Sequence, residues 1–208
     1  MALPQSKTDL TEDRLAGLTL PEGAGWANEA RADALSRLRA MGLPTGRDEY
    51  WKYTDPTSLT QAAPAKAAIF DDSDEAPLFK GIERLKIVFV DGVFDADLSS
   101  DLTMEGVEID LLGDALSKDI HWAREAYGTL ETRGQDPVVR PLAALNTAYA
   151  AQGVVIRATS KVSRPINLIY LHQSETSDAI MHHLVKVEEG AEVTILEHGP
   201  AAARFNKC

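Results

Sequence analysis

Five residues near the end of the chain have the side-chain types best suited to binding a metal ion. They are His182, His183, Glu188, Glu197 and His198, on two predicted neighbouring strands. Imidazole and carboxylate groups of this kind bind divalent metals in many enzymes. Successive side chains on a strand point to opposite faces, so His182 and His183 cannot enter one site without a bulge. We therefore expect one histidine of the pair at the surface and the other in the core, and we favour no metal site here.

A second group imitates the first ligands of a calcium-binding loop. Its members, at alternate positions, are Asp95, Asp97, Ser99 and Asp101. The position that needs a sharp-turn glycine holds Ser100, and the position that needs a bidentate glutamate holds Gly106. We interpret the group as a solvated turn after a hairpin. The acidic run at residues 71–75 is likewise interpreted as a solvated charge run.

The densest aromatic group consists of Tyr50, Trp51 and Tyr53. Aromatic side chains anchor many protein interfaces, so the group could be a docking patch for a partner. Such side chains also fasten helices to sheets by burying a large apolar area. We favour this second interpretation, in which the group packs the N-terminal helices against a hairpin.

The motifs of nucleotide binding and cysteine chemistry are missing from the sequence. No glycine-rich loop leads into a Lys-Ser or Lys-Thr pair, and no Gly-x-Gly-x-x-Gly follows a predicted strand. Cys208 is the single cysteine, and one thiolate cannot hold an iron–sulfur cluster, which takes about four ligands. We therefore assign no catalytic, cofactor-binding or metal-binding residue.

The composition indicates an acidic globular protein of 208 residues. The chain has 21 basic and 32 acidic residues, a net charge of −11, with 44% hydrophobic and 25% charged residues. This charge disfavours nucleic acid and anionic membranes as partners, because both favour basic surfaces. No signal peptide or membrane-spanning run is present, and a single cysteine fits a reducing compartment. We predict a cytoplasmic location.

Helices and a hairpin are predicted before the strand-rich last third. A helix begins at a cap on Asn28 and ends at Gly42, and Asp91-Gly92 forms the tight turn of a hairpin. The hairpin strands are residues 85–90 and 93–94, a further strand is predicted at 107–111, and helices are predicted at 114–130 and 141–149.

A ladder of short strands closes the sequence. The strands, rich in β-branched residues and bounded by Gly, Pro or Ser, are residues 153–157, 166–171, 183–187 and 192–197. Such spacing is typical of stacked coils or of a sandwich. We divide the chain into a helical and hairpin region, 1–137, with a linker at 61–77, and a strand-rich region, 138–208. The ladder ends abruptly, so we expect it to lack its last strands.

Four segments resemble the SufD family, in the family's order. LPTGRDEYWKYTD at residues 43–55 resembles the family's LPT-R-DE-W-KYT segment, and LNTAY at 145–149 resembles its entry into a β-helix. RPINLIY at 164–170 and VEEGAEVTILE at 187–197 resemble two of its later strands. The sister family SufB is less similar in the first segment.

The resemblance implies a fold and a function. It implies an α+β N-terminal region followed by the first coils of a right-handed parallel β-helix, with only the N-terminal half of a SufD protein present. Such proteins are non-catalytic scaffold components of the SUF iron–sulfur cluster assembly machinery, and they act with SufB and the ATPase SufC. The implied partner surfaces and cluster-linked residues lie beyond Cys208, so none is transferred to this chain. The cluster would be handled by the complete complex and not by this segment.

Two alternatives and one physical expectation remain. A cupin-like metal-binding enzyme would use His183, Glu188 or His198, and a stand-alone β-solenoid adaptor would have no metabolic role. If the strand at 192–197 is the last one, its backbone donors and acceptors have no partner strand. We therefore expect the chain alone to self-associate.

Overall fold

The structure, a computed structural model, describes residues 6–69 and 78–208 of a mixed α/β protein. In these residues the α-helices are α1 Lys7–Ala16, α2 Gly25–Met41, α3 Thr57–Thr60, α4 Leu112–Ser117, α5 Thr129–Arg133 and α6 Pro141–Tyr149. Short 3-10 helices lie at Glu49–Trp51 and Trp122–Glu125. No helix in this part of the chain has the length and apolar character needed to cross a lipid bilayer.

The helix ends correct two predictions. α2 begins at Gly25 without a side-chain cap rather than at Asn28, and it ends as predicted at Gly42, whose φ is +65°. The long helix predicted at 114–130 is wrong, because the segment forms α4, a 3-10 helix and part of α5. His121 caps the 3-10 helix by accepting from the Ala123 N–H, and Gly128 adopts φ +73°; both interrupt a continuous helix.

In the described residues, nine strands form three open sheets. They are β1 Leu85–Val90, β2 Val93–Asp95, β3 Val107–Leu111, β4 Val154–Ala158, β5 Ile166–Leu171, β6 Asp178–Met181, β7 Leu184–Val187, β8 Ile195–His198 and β9 Arg204–Lys207. The strand orders are β2-β1-β5-β8, β3-β4-β7 and β6-β9. We call these the first, second and third sheets.

The predicted hairpin is confirmed. β1 and β2 pair antiparallel with Val90 opposite Val93, and the turn residues Asp91 and Gly92 have φ values of +49° and +84°. Positive φ at both positions is the geometry of a type I′ turn. A Cβ at Gly92 would lie 2.3 Å from the Ala179 side chain, so this glycine also allows the hairpin to approach β6.

The last six strands join the three sheets in a fixed, repeating order. β4, β5 and β6 lie in the second, first and third sheets, and β7, β8 and β9 repeat that order. Each later strand pairs in parallel with the strand three places earlier. Strand predictions at 166–171 and, within one residue, at 153–157 and 183–187 are confirmed, whereas the one at 192–197 starts three residues too early. β6 and β9 were not predicted, because each has only four residues and RFNK is mostly polar.

One apolar core lies between the three sheets, and helices cover the outer face of the second. Ile156, Leu168 and Met181, one from each sheet, all belong to the inner core. On the opposite face of the second sheet, Val155 packs with residues of α2 and α4. α6 is anchored to the third sheet, since Asn146 donates through Nδ2 to the carbonyls of Met181 (2.6 Å) and Asn206 (2.9 Å), which lie on the paired strands β6 and β9.

Candidate functional site

A cluster of four polar side chains lies at the end of the core formed by β7, β8 and β9. Its members are Tyr170 on β5, His183 before β7, Glu197 on β8 and Lys207 on β9. The hydroxyl of Tyr170 is 2.9 Å from His183 Nε2 and donates to Glu197 Oε1 at 2.5 Å, and Lys207 forms an ion pair with Glu197. We call these residues the polar cluster.

Backbone contacts determine the proton positions in the polar cluster. The Val154 N–H donates to His183 Nδ1 at 3.0 Å, so the proton of the neutral ring is on Nε2 and points to the Tyr170 oxygen. The Tyr170 ring also stacks on Phe89, with centroids 5.9 Å apart. The tyrosine therefore receives one hydrogen bond and donates another, and its position is tightly defined.

The pKa values in the polar cluster favour neutral rings beside one ion pair. Burial, assisted by the charge of Lys207, lowers the pKa of His183 to about 4. Burial and then the Glu197 carboxylate raise the pKa of Tyr170. Although burial acts in the opposite direction, hydrogen bonds from Lys207 and Tyr170 hold the pKa of Glu197 below its usual value. The four groups satisfy one another, which suits a positioning role better than catalysis.

The two adjacent histidines lie on opposite sides of the chain, as their alternation requires. His182 faces the helices and packs on the Tyr127 ring, with centroids 5.0 Å apart, whereas His183 faces the core. The prediction that one of them lies at the surface is wrong: His182 is 5% exposed and His183 is half-buried. Both faces of this segment are covered, one by helices and the other by the core.

The burial of His182 leads us to predict that the protein loses stability in acid. Its buried Nδ1 has no hydrogen-bond partner in the described residues, and burial lowers its pKa from 6.5 to about 4. Because the unfolded chain takes up this proton at higher pH, the stabilisation by neutral His182 is complete above about pH 6.5 and is lost as the pH falls towards 4. The expected loss between pH 7 and pH 4 is about 3 kcal/mol. Urea unfolding between pH 7 and pH 4.5 should show a clearly weaker pH dependence for His182→Phe than for the natural chain, and equal slopes would contradict the assignment.

The other metal-ligand candidates lie apart from the polar cluster. Glu188 forms ion pairs with Arg157 at 2.7 Å and Lys186 at 3.1 Å, and the His198 ring packs on Phe79 with centroids 5.5 Å apart. In residues 6–69 and 78–208 no group of three or more His, Cys, Asp or Glu side chains is arranged to hold a metal ion.

The environment of Cys208 disfavours the thiolate. Burial of the thiol and then the nearby Glu131 carboxylate raise its pKa. A cluster ligand or a nucleophilic cysteine needs the opposite shift.

The aromatic group is mostly exposed, so its interpretation as a packing anchor is wrong for two of the three residues. Tyr50 is 68% and Tyr53 is 90% exposed, while Trp51 is half-buried in a cleft of about 480 Å³ that Pro44 and Val139 also line. The 3-10 helix Glu49–Trp51 is too short to bury one whole face. The docking alternative stays open.

The acidic groups serve local turns where the structure describes them. Asp95 Oδ1 accepts from the Leu98 N–H at 2.9 Å, and Asp101 Oδ1 accepts from the Thr103 N–H at 2.8 Å. The acidic run at 71–75, with most of the predicted linker's second half, lies outside the described residues.

Comparison with known proteins supports the resemblance seen in the sequence. The chain is 25% identical over 170 residues to the iron-sulfur cluster assembly protein SufD of Escherichia coli (strain K12). The chain is similar to SufD. The match covers 79% of this chain but 37% of the E. coli protein, so the chain spans little more than a third of its relative's length. No family model matches the chain.

The residue pattern of the sequence identified the polar cluster only in part. His183 and Glu197 were singled out as metal ligands, whereas Tyr170 and Lys207 were not. Strand spacing could have pointed to Tyr170, because Tyr170 and Glu197 lie on strands that pair in register. Nothing comparable pointed to Lys207, because its strand β9 is too polar to be recognised.

Proposed function

We propose that this chain is the N-terminal part of a SufD-like protein, a non-catalytic component of the SUF iron–sulfur cluster assembly machinery in the cytoplasm. The observation that carries the proposal is the similarity to E. coli SufD across 79% of the chain. The mutual satisfaction of the polar cluster supports a scaffold rather than an enzyme, since no described residue of that cluster is left to attack a substrate.

We further propose that strands β4–β9 are the first two coils of a right-handed parallel β-helix. Two observations support this: each strand pairs with the strand three places later, and the repeat is regular. Val154 and His183, which bond across two coils, are 29 residues apart, and Asp178 and Arg204 are 26 apart. A repeat of this length, three strands around one core, is what stacked coils require.

The proposed partners are a SufB-like protein and a SufC-like ATPase, and the cluster would be handled by the complete complex. The test is co-expression of the tagged chain, with any coding sequence that follows Cys208 in its gene, together with the SufB-like and SufC-like proteins of the same organism. We expect both to co-purify with the chain through size exclusion. Capture of neither protein would refute the proposal.

The control for this experiment compares a variant that disturbs the coils with one that does not. The variant Gly153→Ala is expected to disturb the first coil (see Discussion) and should capture less of both proteins, whereas Gly25→Ala, with open space around its Cβ position, should capture as much as the natural chain. Metal analysis of the purified chain completes the test. Stoichiometric iron, zinc or manganese would favour the cupin-like enzyme instead.

A further inference from the structure

The cleft beside Trp51 has the size and the lining of a binding site. It lies between the segment that follows α2 and the segment that leads into α6, and its volume is about 480 Å³. Clefts that bind ligands have volumes of about 300–1,000 Å³ and are mostly apolar. The apolar lining includes Pro44, Tyr50, Trp51, Pro137, Val139 and Pro141. We call this site the Trp51 cleft.

The walls of the Trp51 cleft are held in place by contacts within the chain. The Thr45 N–H donates to Asp48 Oδ2 at 2.7 Å, and Lys7 from α1 forms an ion pair with the same carboxylate. On the other wall, Pro141 is buried at the start of α6. Proline rings fix φ and so restrict the backbone of both walls. A preformed cleft of this kind loses little conformational entropy when it binds a ligand.

Aromatic and apolar side chains remain exposed at the Trp51 cleft. Tyr50 is 68% and Val139 is 54% exposed. The rings of Tyr50 and Trp51 are 6.5 Å apart at 72° to each other. Tyrosine and tryptophan dominate the binding energy of many interfaces, and aromatic-lined grooves bind extended segments that contain proline.

The charges at the rim favour a cationic group on the ligand. Three charged residues line the cleft, and two of them, Lys7 and Asp48, neutralise each other in an ion pair. The third, Glu49, has 85% of its side chain exposed and pairs with Lys52, which does not line the cleft. Exposed pairs contribute about 1 kcal/mol or less, so a cation of the ligand can replace Lys52.

The volume of the Trp51 cleft favours an extended chain over a helix. Two turns of α-helix fill roughly 850 Å³, because the helix is about 10 Å wide and rises about 5.4 Å per turn. This is more than a cleft of about 480 Å³ can enclose. A proline-containing segment is already extended, has no internal hydrogen bonds and needs no folding when it binds.

We propose that the Trp51 cleft is the docking site for an extended segment of a partner protein, in which a lysine or arginine lies next to prolines. The prolines of this segment pack against Tyr50 and Trp51, and its cation meets Glu49. The inference does not depend on the proposed function, because the cleft is lined by residues outside strands β4–β9 and its test needs neither a SufB-like nor a SufC-like protein.

The test is selection of peptides on the tagged 208-residue chain from a phage-displayed library of random ten-residue sequences. We expect the enriched peptides to share at least two prolines and a neighbouring lysine or arginine. The dissociation constant of an enriched peptide labelled with fluorescein is then measured by fluorescence polarisation, for the natural chain and for each variant.

Two pairs of variants locate the bound peptide. Tyr50→Ala should raise its dissociation constant about fivefold or more, whereas Tyr53→Ala, at a side chain that is 90% exposed but does not line the cleft, should leave it unchanged. Glu49→Lys should weaken binding and reduce its dependence on salt. The matched control is Glu29→Lys, at an exposed position on α2 that does not line the cleft. Circular dichroism checks that every variant is folded.

Four outcomes would overturn the proposal. They are a selection that enriches no peptide, enriched peptides without proline, binding that Tyr50→Ala leaves unchanged, and equal losses in Tyr50→Ala and Tyr53→Ala. Self-association of the chain that Tyr50→Ala abolishes would assign the cleft to a second copy instead. Failure to capture SufB-like and SufC-like proteins would refute the proposed function without changing the result of the peptide selection.

Discussion

Replacing Asp178 by asparagine is expected to lower the free energy of unfolding by about 3–5 kcal/mol. Asp178 lies between two guanidinium groups, those of Arg14 on α1 and Arg204 on β9. Arg14 Nη2 donates to it at 3.0 Å, and Arg204 donates through Nε at 2.8 Å and Nη2 at 2.5 Å. Both arginine side chains are 1% exposed. Without the carboxylate, two like charges would remain buried with no counter-charge from this position.

The causes that act on the pKa of Arg14 support this expectation. Burial is the main influence that lowers its pKa, Arg204 lowers it further, and Asp178 opposes both. Urea unfolding at pH 7 measures the effect. The matched control is Glu12→Gln, which breaks the exposed ion pair between Glu12 and Arg39, both about half exposed, and should change stability by about 1 kcal/mol or less. Similar losses in the two variants would show that Asp178 does not stabilise the buried arginines.

Replacing Gly153 by alanine is expected to lower the free energy of unfolding by about 3 kcal/mol or more, from backbone strain and steric overlap of about 1–3 kcal/mol each. Gly153 has φ +146°, and a Cβ there would lie 1.9 Å from the His182 carbonyl oxygen and 2.7 Å from its carbon. These are backbone atoms of the segment just before β7, so no side-chain rotation relieves the overlap. The strands β4 and β7 would have to separate.

The matched control is a glycine with ordinary geometry. Gly25, the first residue of α2, has nothing within 4 Å of its Cβ position. Gly25→Ala should be neutral or stabilise the protein by about 0.4–1 kcal/mol through a less flexible unfolded chain. Thermal and urea unfolding of both variants give the comparison. A Gly153→Ala protein as stable as the natural chain would mean that β4 and β7 are not held as closely as described.

Local patterns in the sequence predicted the elements better than their connections. Asp91-Gly92 specifies its hairpin because both residues must tolerate positive φ, and the mostly apolar run at 166–171 forms β5 over the same residues. β9 escaped prediction because Arg204 and Asn206 are buried by partners remote in sequence, namely Asp178 and the carbonyl of Leu142. Burial of polar residues by distant partners leaves no local signal.

The candidate site shows the same division. Alternation along a strand predicted that His182 and His183 face opposite ways, and they do. It did not predict that both sides are covered, since that depends on Tyr127 and Tyr170 arriving from other elements. The proposed division at residue 137 also remains a prediction. β1 and β3 from the first region pair directly with β5 and β4 of the second, so the two regions share sheets.

Because β1 pairs with β5, the ribosome makes the hairpin well before it makes the strand that covers it. Leu85 pairs with Ile166, and the neighbouring contact of Glu83 with Arg164 spans 81 residues. At a translation rate of about 5–20 residues per second, the hairpin leaves the ribosome roughly 4–16 s before β5 exists to cover it. Its apolar edge residues Ile87 and Phe89 are fully buried in the finished fold. During that interval the apolar face of the nascent hairpin has no β5 to cover it, and slower translation between residues 90 and 166 would lengthen the exposure.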